Sequence, residues 1–331
     1  MTPKATTVTP TSEKILVLGG TGFVGRAVCT RLSARNASTA IVVPTRRQQH
    51  ANAVRSLPTV EVVQASVHDD AQLARLVAGS STVINLIAIL HGSAADFQRV
   101  HVELPRRLAQ ACAATGVRRV VHVSALGAGR VGGQDPPSNY LRSKTAGEAA
   151  LCTPAVDATL LRPSVIFGAE DRFLNLFATL QAVAPVLPLA GSSARFQPVW
   201  VEDVASAIVA CVDNAATIGQ TYECTGPTVY TLSQLVHLAG LWSGHDRPQI
   251  PLPTALARLQ ALVMEWLPGE PLMSRDNVDS MAVPNVASGR LPNLAALGIT
   301  ASALEAVAPG YLGGQQACSR LDHFRKLAGR G

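Results

Sequence analysis

The run Lys14-Ile15-Leu16-Val17-Leu18-Gly19-Gly20-Thr21-Gly22-Phe23-Val24-Gly25 constrains this chain more than any other stretch. Consecutive apolar residues predict a short, fully buried strand, a glycine-rich turn follows, and the apolar periodicity from Phe23 to Leu32 predicts a helix. Gly19 and Gly20 allow a sharp turn, Gly22 allows close backbone approach to a pyrophosphate, and Gly25 allows the helix to pack near the strand. Unbonded N–H groups at the start of that helix, those of Phe23 and Val24 included, would face phosphates where the helix dipole favours negative charge. A glycine fingerprint between a strand and a helix is the context that dinucleotide binding requires.

The second strand, Ala40-Ile41-Val42-Val43, ends in Pro44-Thr45-Arg46-Arg47. A site for NAD(H) wants an Asp or Glu about twenty residues past the glycines to accept from the ribose 2′-OH. Arg46 and Arg47 stand there instead, and guanidinium groups suit a 2′-phosphate. NADP(H) is therefore favoured, with NAD(H) the alternative. Further strands are expected at Val60–Ala65, Val83–Leu86, Arg119–Val123 and Ala158–Leu161. Asn85, at the carboxyl edge of the sheet, is a candidate for lining the cofactor pocket. A helix from about Asp96 to Thr115 should bend or restart at Pro105, and its His101 and Glu103 read as surface or packing residues.

After the fifth strand come Ser124 and then Tyr140-Leu141-Arg142-Ser143-Lys144. Residues four apart share a helix face, so the Tyr140 phenol and the Lys144 ammonium can point into one pocket. An ammonium beside a phenol favours the phenolate, which would suit Tyr140 to acid/base work near neutral pH. Farther on, Ala194–Val201 reads as an extended return to the sheet, and Glu202 or Asp203 as the cap of a helix Val204–Asn214. From about Gly226 the pattern changes to amphipathic helices, Leu232–Leu241 and Leu256–Trp266. The expected organisation is an α/β, doubly wound parallel sheet with a smaller, mainly helical C-terminal lobe. Its parts would be a disordered tail 1–13, a dinucleotide domain 14–168, a mixed segment 169–226 returning to the sheet, and a substrate or partner lobe 227–331.

Composition narrows the function. Of the 331 residues 47% are hydrophobic and 15% charged, which excludes wholesale disorder. The net charge of +6 comes from scattered Lys and Arg with 4% aromatics, which gives no nucleic-acid footprint; it allows an anionic ligand or a membrane surface. The six cysteines form no C-x-x-C pair, which argues against a metal centre or disulfide framework and for a reducing, cytoplasmic location. No stretch reads as a signal peptide or a transmembrane helix. The apolar composition of the C-terminal part points to a small, apolar substrate.

These motifs together resemble the extended or atypical short-chain dehydrogenases/reductases, the NAD-dependent epimerase/dehydratase-like proteins with a Rossmann fold. The resemblance rests on the Gly19–Gly25 turn, Tyr140 with Lys144, Leu161-Arg162-Pro163 with Gly168, and Val201-Glu202-Asp203-Val204. More narrowly, the chain is similar to the NAD(P)-binding accessory subunit of respiratory complex I and its bacterial relatives. That likeness lies in Val121–Ala128, Arg195-Phe196-Gln197-Pro198-Val199 and Arg275-Asp276-Asn277-Val278. The resemblance implies that Tyr140 transfers a proton, Lys144 holds the nicotinamide ribose and tunes the tyrosine, Ser124 steadies the substrate oxygen, and Pro163 belongs to the cofactor site. Extended members often carry further hydroxyl residues after strand five, where this chain has Ala125 and Leu126. Two readings follow: an NADP(H)-dependent oxidoreductase or epimerase, and a non-catalytic nucleotide-binding subunit or assembly factor of a respiratory or quinone-related membrane complex, peripheral at the membrane.

Overall fold

The computed structural model describes residues 13–129, 134–266 and 273–313. The tail before residue 13, the end of the chain with Cys318, and part of the loop after strand five lie outside them. Strand β1 (Lys14–Leu18) turns through glycines into α1 (Phe23–Arg35), followed by β2 (Ala40–Thr45), α2 (Asn52–Arg55), β3 (Val60–Gln64), α3 (Asp70–Val77) and β4 (Thr82–Asn85). Next come α4 (Ala94–Phe97), a π-helical turn (Gln98–Glu103), α5 (Leu104–Thr115), β5 (Arg119–Val123), α6 (Asn139–Leu151), β6 (Asp157–Pro163) and β7 (Ile166–Phe167). The C-terminal part supplies α7 (Leu174–Val183), β8 (Leu187–Ala190), β9 (Arg195–Phe196), β10 (Val199–Trp200), α8 (Val201–Asp213), β11 (Thr221–Cys224), β12 (Tyr230–Thr231) and α9 (Leu232–Ser243). It ends in β13 (Gln249–Leu252), α10 (Thr254–Trp266), α11 (Arg275–Ser280) and α12 (Leu304–Leu312).

Seven strands pair in the order β11-β6-β5-β4-β1-β2-β3, all parallel. Strand order reverses between β1 and β4, so the crevice outside their carboxyl ends is the expected ligand position. One apolar layer packs α1 and α8 on the sheet through Val28, Leu32, Val204 and Ile208, and the other packs α3 and α5 through Leu73, Leu104 and Leu108. A separate core around Phe167, Leu174, Leu235 and Leu304 serves the smaller, mainly helical C-terminal lobe.

Two sequence expectations change, and a third, the restart of a helix at Pro105, gains detail. The extended stretch Ala194–Val201 forms the short strands β9 and β10, which pair with β12 and β7 outside the main sheet. The seventh strand of the sheet is instead β11. Neither Glu202 nor Asp203 caps α8, which begins at Val201 with no side-chain cap. Glu202 reaches Arg31 across to α1, and Asp203 accepts from the Ser302 N–H at 2.7 Å. The helix expected from Asp96 to Thr115 runs as α4, the π turn and α5, with Pro105 in the first turn of α5 where its missing N–H costs nothing.

The nucleotide turn has no room for a side chain at Gly25, since a Cβ there would lie 2.2 Å from the Gly19 carbonyl oxygen. We expect Gly25→Ala to destabilise the protein by roughly 2–4 kcal/mol through overpacking. Gly310→Ala, in α12 with open space around the added methyl, should stabilise it by about 0.5–1 kcal/mol. Chemical denaturation of the two variants against wild type reads both signs.

Candidate active site

The turn after β1 is built as the glycines require. Gly19 has φ +84°, and its carbonyl accepts from the Gly22 N–H at 3.0 Å. Gly22 is the N-cap of α1, with no side-chain cap and no acidic residue in the first turn. The first N–H groups of α1 are thus left for an external acceptor, as phosphate binding requires. Phe23 and Val24 open that turn half-buried, and the Phe23 ring lies against Gly168, where a Cβ would come within 3.1 Å of it. The Phe23 ring thus joins the start of α1 to the segment after β6. At the end of β2, Arg46 and Arg47 are exposed and make no ion pair among the described residues. Both guanidiniums are available to a phosphate.

The carboxyl ends of β4, β5 and β6 meet α6 in a buried polar cluster. Asn85, 1% exposed, uses its amide internally: Oδ1 accepts from the Ile87 N–H at 3.2 Å, and Nδ2 faces His122 Nδ1 at 3.1 Å. The amide therefore donates to His122, whose proton sits on Nε2. His101 accepts from the Ile89 N–H through Nε2 at 3.1 Å. Its other nitrogen, Nδ1, carries the proton and meets the Ser143 hydroxyl at 2.9 Å. Burial and the neighbouring Lys144 charge drive both imidazoles down to about 3, so both are neutral. Sequence reasoning gave His101 a surface or packing role only. Its position in a π turn, a distortion often found at functional sites, was not visible in the residue pattern.

Tyr140 and Lys144 stand on α6 as their spacing predicts, but their electrostatics differ from expectation. The Lys144 ammonium, 2% exposed, donates to the Val123 carbonyl at 3.1 Å. Burial lowers it to about 8, against the opposing pull of Glu148. The Tyr140 ring packs edge-on to Phe97 and His101, with centroid distances of 6.0 and 5.5 Å. These surroundings push its phenol up from the usual value, where the sequence reading had an adjacent ammonium lowering it. The physical reason is desolvation: the charge of Lys144 acts on the two imidazoles, and the phenol is held protonated.

Ser124 follows the carbonyl that Lys144 holds. Its hydroxyl is buried, with no hydrogen-bond partner among the described residues. An unpaired buried hydroxyl costs about 1–3 kcal/mol, so it marks a place where a ligand acceptor or donor fits. Ala125 and Leu126, at the next two positions, are 7% and 2% exposed and carry no polar group. Pro163 ends β6, buried, with its carbonyl accepting from the Leu126 N–H at 2.9 Å. The glycine cradle that a Cβ would fill therefore suits a dinucleotide, and the unpartnered hydroxyl lies one residue past the Val123 carbonyl that holds Lys144. A group outside the sequence reading closes the same region. Asn285 accepts through Oδ1 from the Ser164 hydroxyl at 2.5 Å and the Val165 N–H at 3.0 Å, tying the C-terminal lobe to the β6–β7 link.

Comparison with known proteins agrees with this geometry. Over 303 residues the chain is 33% identical to NADH dehydrogenase (ubiquinone) 1 alpha subcomplex subunit 9, mitochondrial, of Rattus norvegicus, covering 87% of this chain and 77% of that protein. It is 33% identical over 199 residues to ceramide reductase of Caulobacter vibrioides, covering 59% and 60%. An NADPH-dependent quinone oxidoreductase from Escherichia coli, solved with NADPH, shares the fold with a TM-score of 0.69 at 20% identity, over 93% of this chain and 99% of that one. Residues 15–225 match the NAD dependent epimerase/dehydratase family. The chain therefore belongs to that family of NAD(P)-binding Rossmann proteins.

Proposed function

We propose that this chain is an NADP(H)-dependent oxidoreductase in which Tyr140 and Lys144 perform the proton transfer that accompanies hydride transfer. The observation that carries the reading is the unpartnered Ser124 hydroxyl, next in sequence to the carbonyl that anchors Lys144. NADPH, when bound, supplies the hydride. The unbonded N–H groups at the start of α1 would hold its pyrophosphate, and Arg46 and Arg47 its 2′-phosphate. Lys144 spends one N–H on Val123 and keeps two donors for ribose hydroxyls. Ser124 orients a substrate oxygen. Tyr140 stays protonated in these surroundings, the form that can give a proton to a carbonyl oxygen as it gains hydride.

A second reading has its own support. The 33% identity to a mitochondrial NADH dehydrogenase subunit, and the apolar Ala125 and Leu126 after Ser124, fit a nucleotide-holding accessory or assembly subunit of a respiratory complex, peripheral at a membrane. Among the described residues no helix is long and apolar enough to cross one. Fractionation separates the readings: co-sedimentation with respiratory complexes at moderate salt supports the second, and full recovery in the soluble fraction opposes it.

Titration of the purified protein with NADPH and NADH tests the cofactor. Arg46→Ala and Arg47→Ala should each weaken NADPH by about tenfold, the loss of one charge-assisted contact, and leave NADH unchanged. Equal loss for both nucleotides would remove the 2′-phosphate assignment. Tyr140→Phe should abolish turnover of any reducible substrate while leaving NADPH affinity within about twofold, because the phenol acts in the transition state.

Lys144 also makes a pH prediction. Its pKa is about 8 in the fold and 10.5 for an exposed lysine. Below pH 8 both states hold the proton and the cost of burying the charge is present in full. Between 8 and 10.5 the unfolded chain holds a proton that the folded one has released, so stability rises with pH, by at most roughly 3 kcal/mol. Thermal unfolding of wild type should thus show Tm climbing from pH 7.5 to 9.5 relative to Lys144→Met. Parallel curves would mean that Lys144 titrates normally.

A further inference from the structure

The Arg275-Asp276-Asn277-Val278 motif plays no part in the function above, yet it reaches the helix that carries Tyr140. The Asp276 carboxylate accepts from two backbone N–H groups at the start of α6, that of Asn139 through Oδ1 at 2.6 Å and that of Tyr140 through Oδ2 at 3.0 Å. The local cap, Ser138, takes only the Leu141 N–H, at 3.2 Å. The first turn of α6 is therefore held from a segment 136 residues away in sequence. Asp276 is itself fixed. It sits in the first turn of α11, where Ser274 and Asn277 form a capping box, and its neighbour Arg275 is tied to Glu265 of α10 at 2.9 Å.

We infer that Asp276 is a positioning residue for Tyr140, through which the C-terminal lobe fixes the first turn of α6 against the sheet edge. The inference rests on the reading of Tyr140 as the proton donor. A carboxylate at a helix N-terminus gains from both the charge-assisted bonds and the dipole. Tyr140 is the second residue of α6, so loosening that turn displaces its ring from Phe97 and His101. Lys144 lies one turn later, anchored to Val123, and is unaffected. The same carboxylate lines a cleft of about 700 Å³ between the lobes, together with Asn139, Arg258 and Arg275.

The test uses the full chain labelled with 13Cζ-tyrosine. It has four tyrosines, and the Tyr140 resonance is assigned by its loss in Tyr140→Phe. In Asp276→Ala the Tyr140 resonance should move or split while the other three stay in place. Amide exchange at Asn139 and Tyr140 should rise by about tenfold or more, the loss of a hydrogen bond to a charged group. NADPH affinity should stay within about twofold, because no nucleotide contact is touched. Asp276→Asn, which keeps one acceptor oxygen, should fall between wild type and Asp276→Ala, and it decides the matter if Asp276→Ala does not fold. A cap with a purely structural role would lower Tm and leave the Tyr140 resonance at its wild-type position, which overturns the inference. If wild type binds no NADPH, the proposed function fails. The resonance comparison in nucleotide-free protein still decides the role of Asp276.

Discussion

The closest backbone approach in the nucleotide turn, Gly25 against the carbonyl of Gly19, governs much of the rest. It draws α1 onto the end of β1, so that the start of the helix opens at the point where strand order reverses. With α1 in that place, its outer side meets α8, and the ion pair of Arg31 with Glu202 and the pairs of Arg35 with Glu13 and Asp213 become possible. Each is partly exposed and individually worth little. Beneath them, Val28, Leu32, Val204 and Ile208 are fully buried and supply the larger share of the energy. From α8 the dependence runs on to the C-terminal lobe, because Asp203 binds the backbone ahead of α12. One steric contact at a glycine thus sets the phosphate cradle and, two helices away, the seat of the lobe.

The polar cluster at the carboxyl edge follows a different logic. A cation buried among imidazoles is tolerable only if the imidazoles stay neutral, and both His101 and His122 do, at about 3. Their hydrogen bonds fix the tautomers: each accepts through one nitrogen, from Ile89 or Asn85, which leaves the proton on the other. Lys144 carries the positive charge at the centre of this cluster, donates to the Val123 carbonyl and feels the buried Glu148 carboxylate. The consequence is a phenol that keeps its proton and a lysine that sits near the boundary of ionisation.

How far the sequence revealed this depended on the range of the interaction. The strand, turn and helix around Gly19–Gly25 are local, and so is the i, i+4 relation of Tyr140 and Lys144; both were readable from spacing. The π turn at Gln98–Glu103 was not read from spacing, nor was its contact with Gly147 of α6, where a Cβ would lie 1.9 Å from the His101 carbonyl oxygen. The pKa of Tyr140 was misread because desolvation is a property of the packed site and leaves no trace in a spacing rule. Strand β11, with the unremarkable sequence Thr221-Tyr222-Glu223-Cys224, joins the sheet only because β6 presents an open edge to it. Asp203 looked like a helix cap because acidic residues before an apolar run usually are. The Ser302 backbone competed for it and won.

The lobes are joined by a consistent device. Short polar side chains of one lobe accept from backbone N–H groups or hydroxyls of the other: Asp276 on α6, Asn285 on the β6–β7 link, and Asp203 on the Ser302 segment. Within the C-terminal lobe Asp171 works the same way, accepting from the Tyr311 hydroxyl at 2.8 Å and from the first N–H groups of α7. Hydrogen bonds of this kind contribute roughly 0.5–3 kcal/mol each, but they are directional where apolar packing is not. Apolar contact alone would let one lobe slide on the other. Acceptors aimed at particular N–H groups fix the angle between them, and two of those groups open the helix that carries Tyr140 and Lys144. The C-terminal lobe therefore holds the first turn of α6 as well as the β6–β7 link.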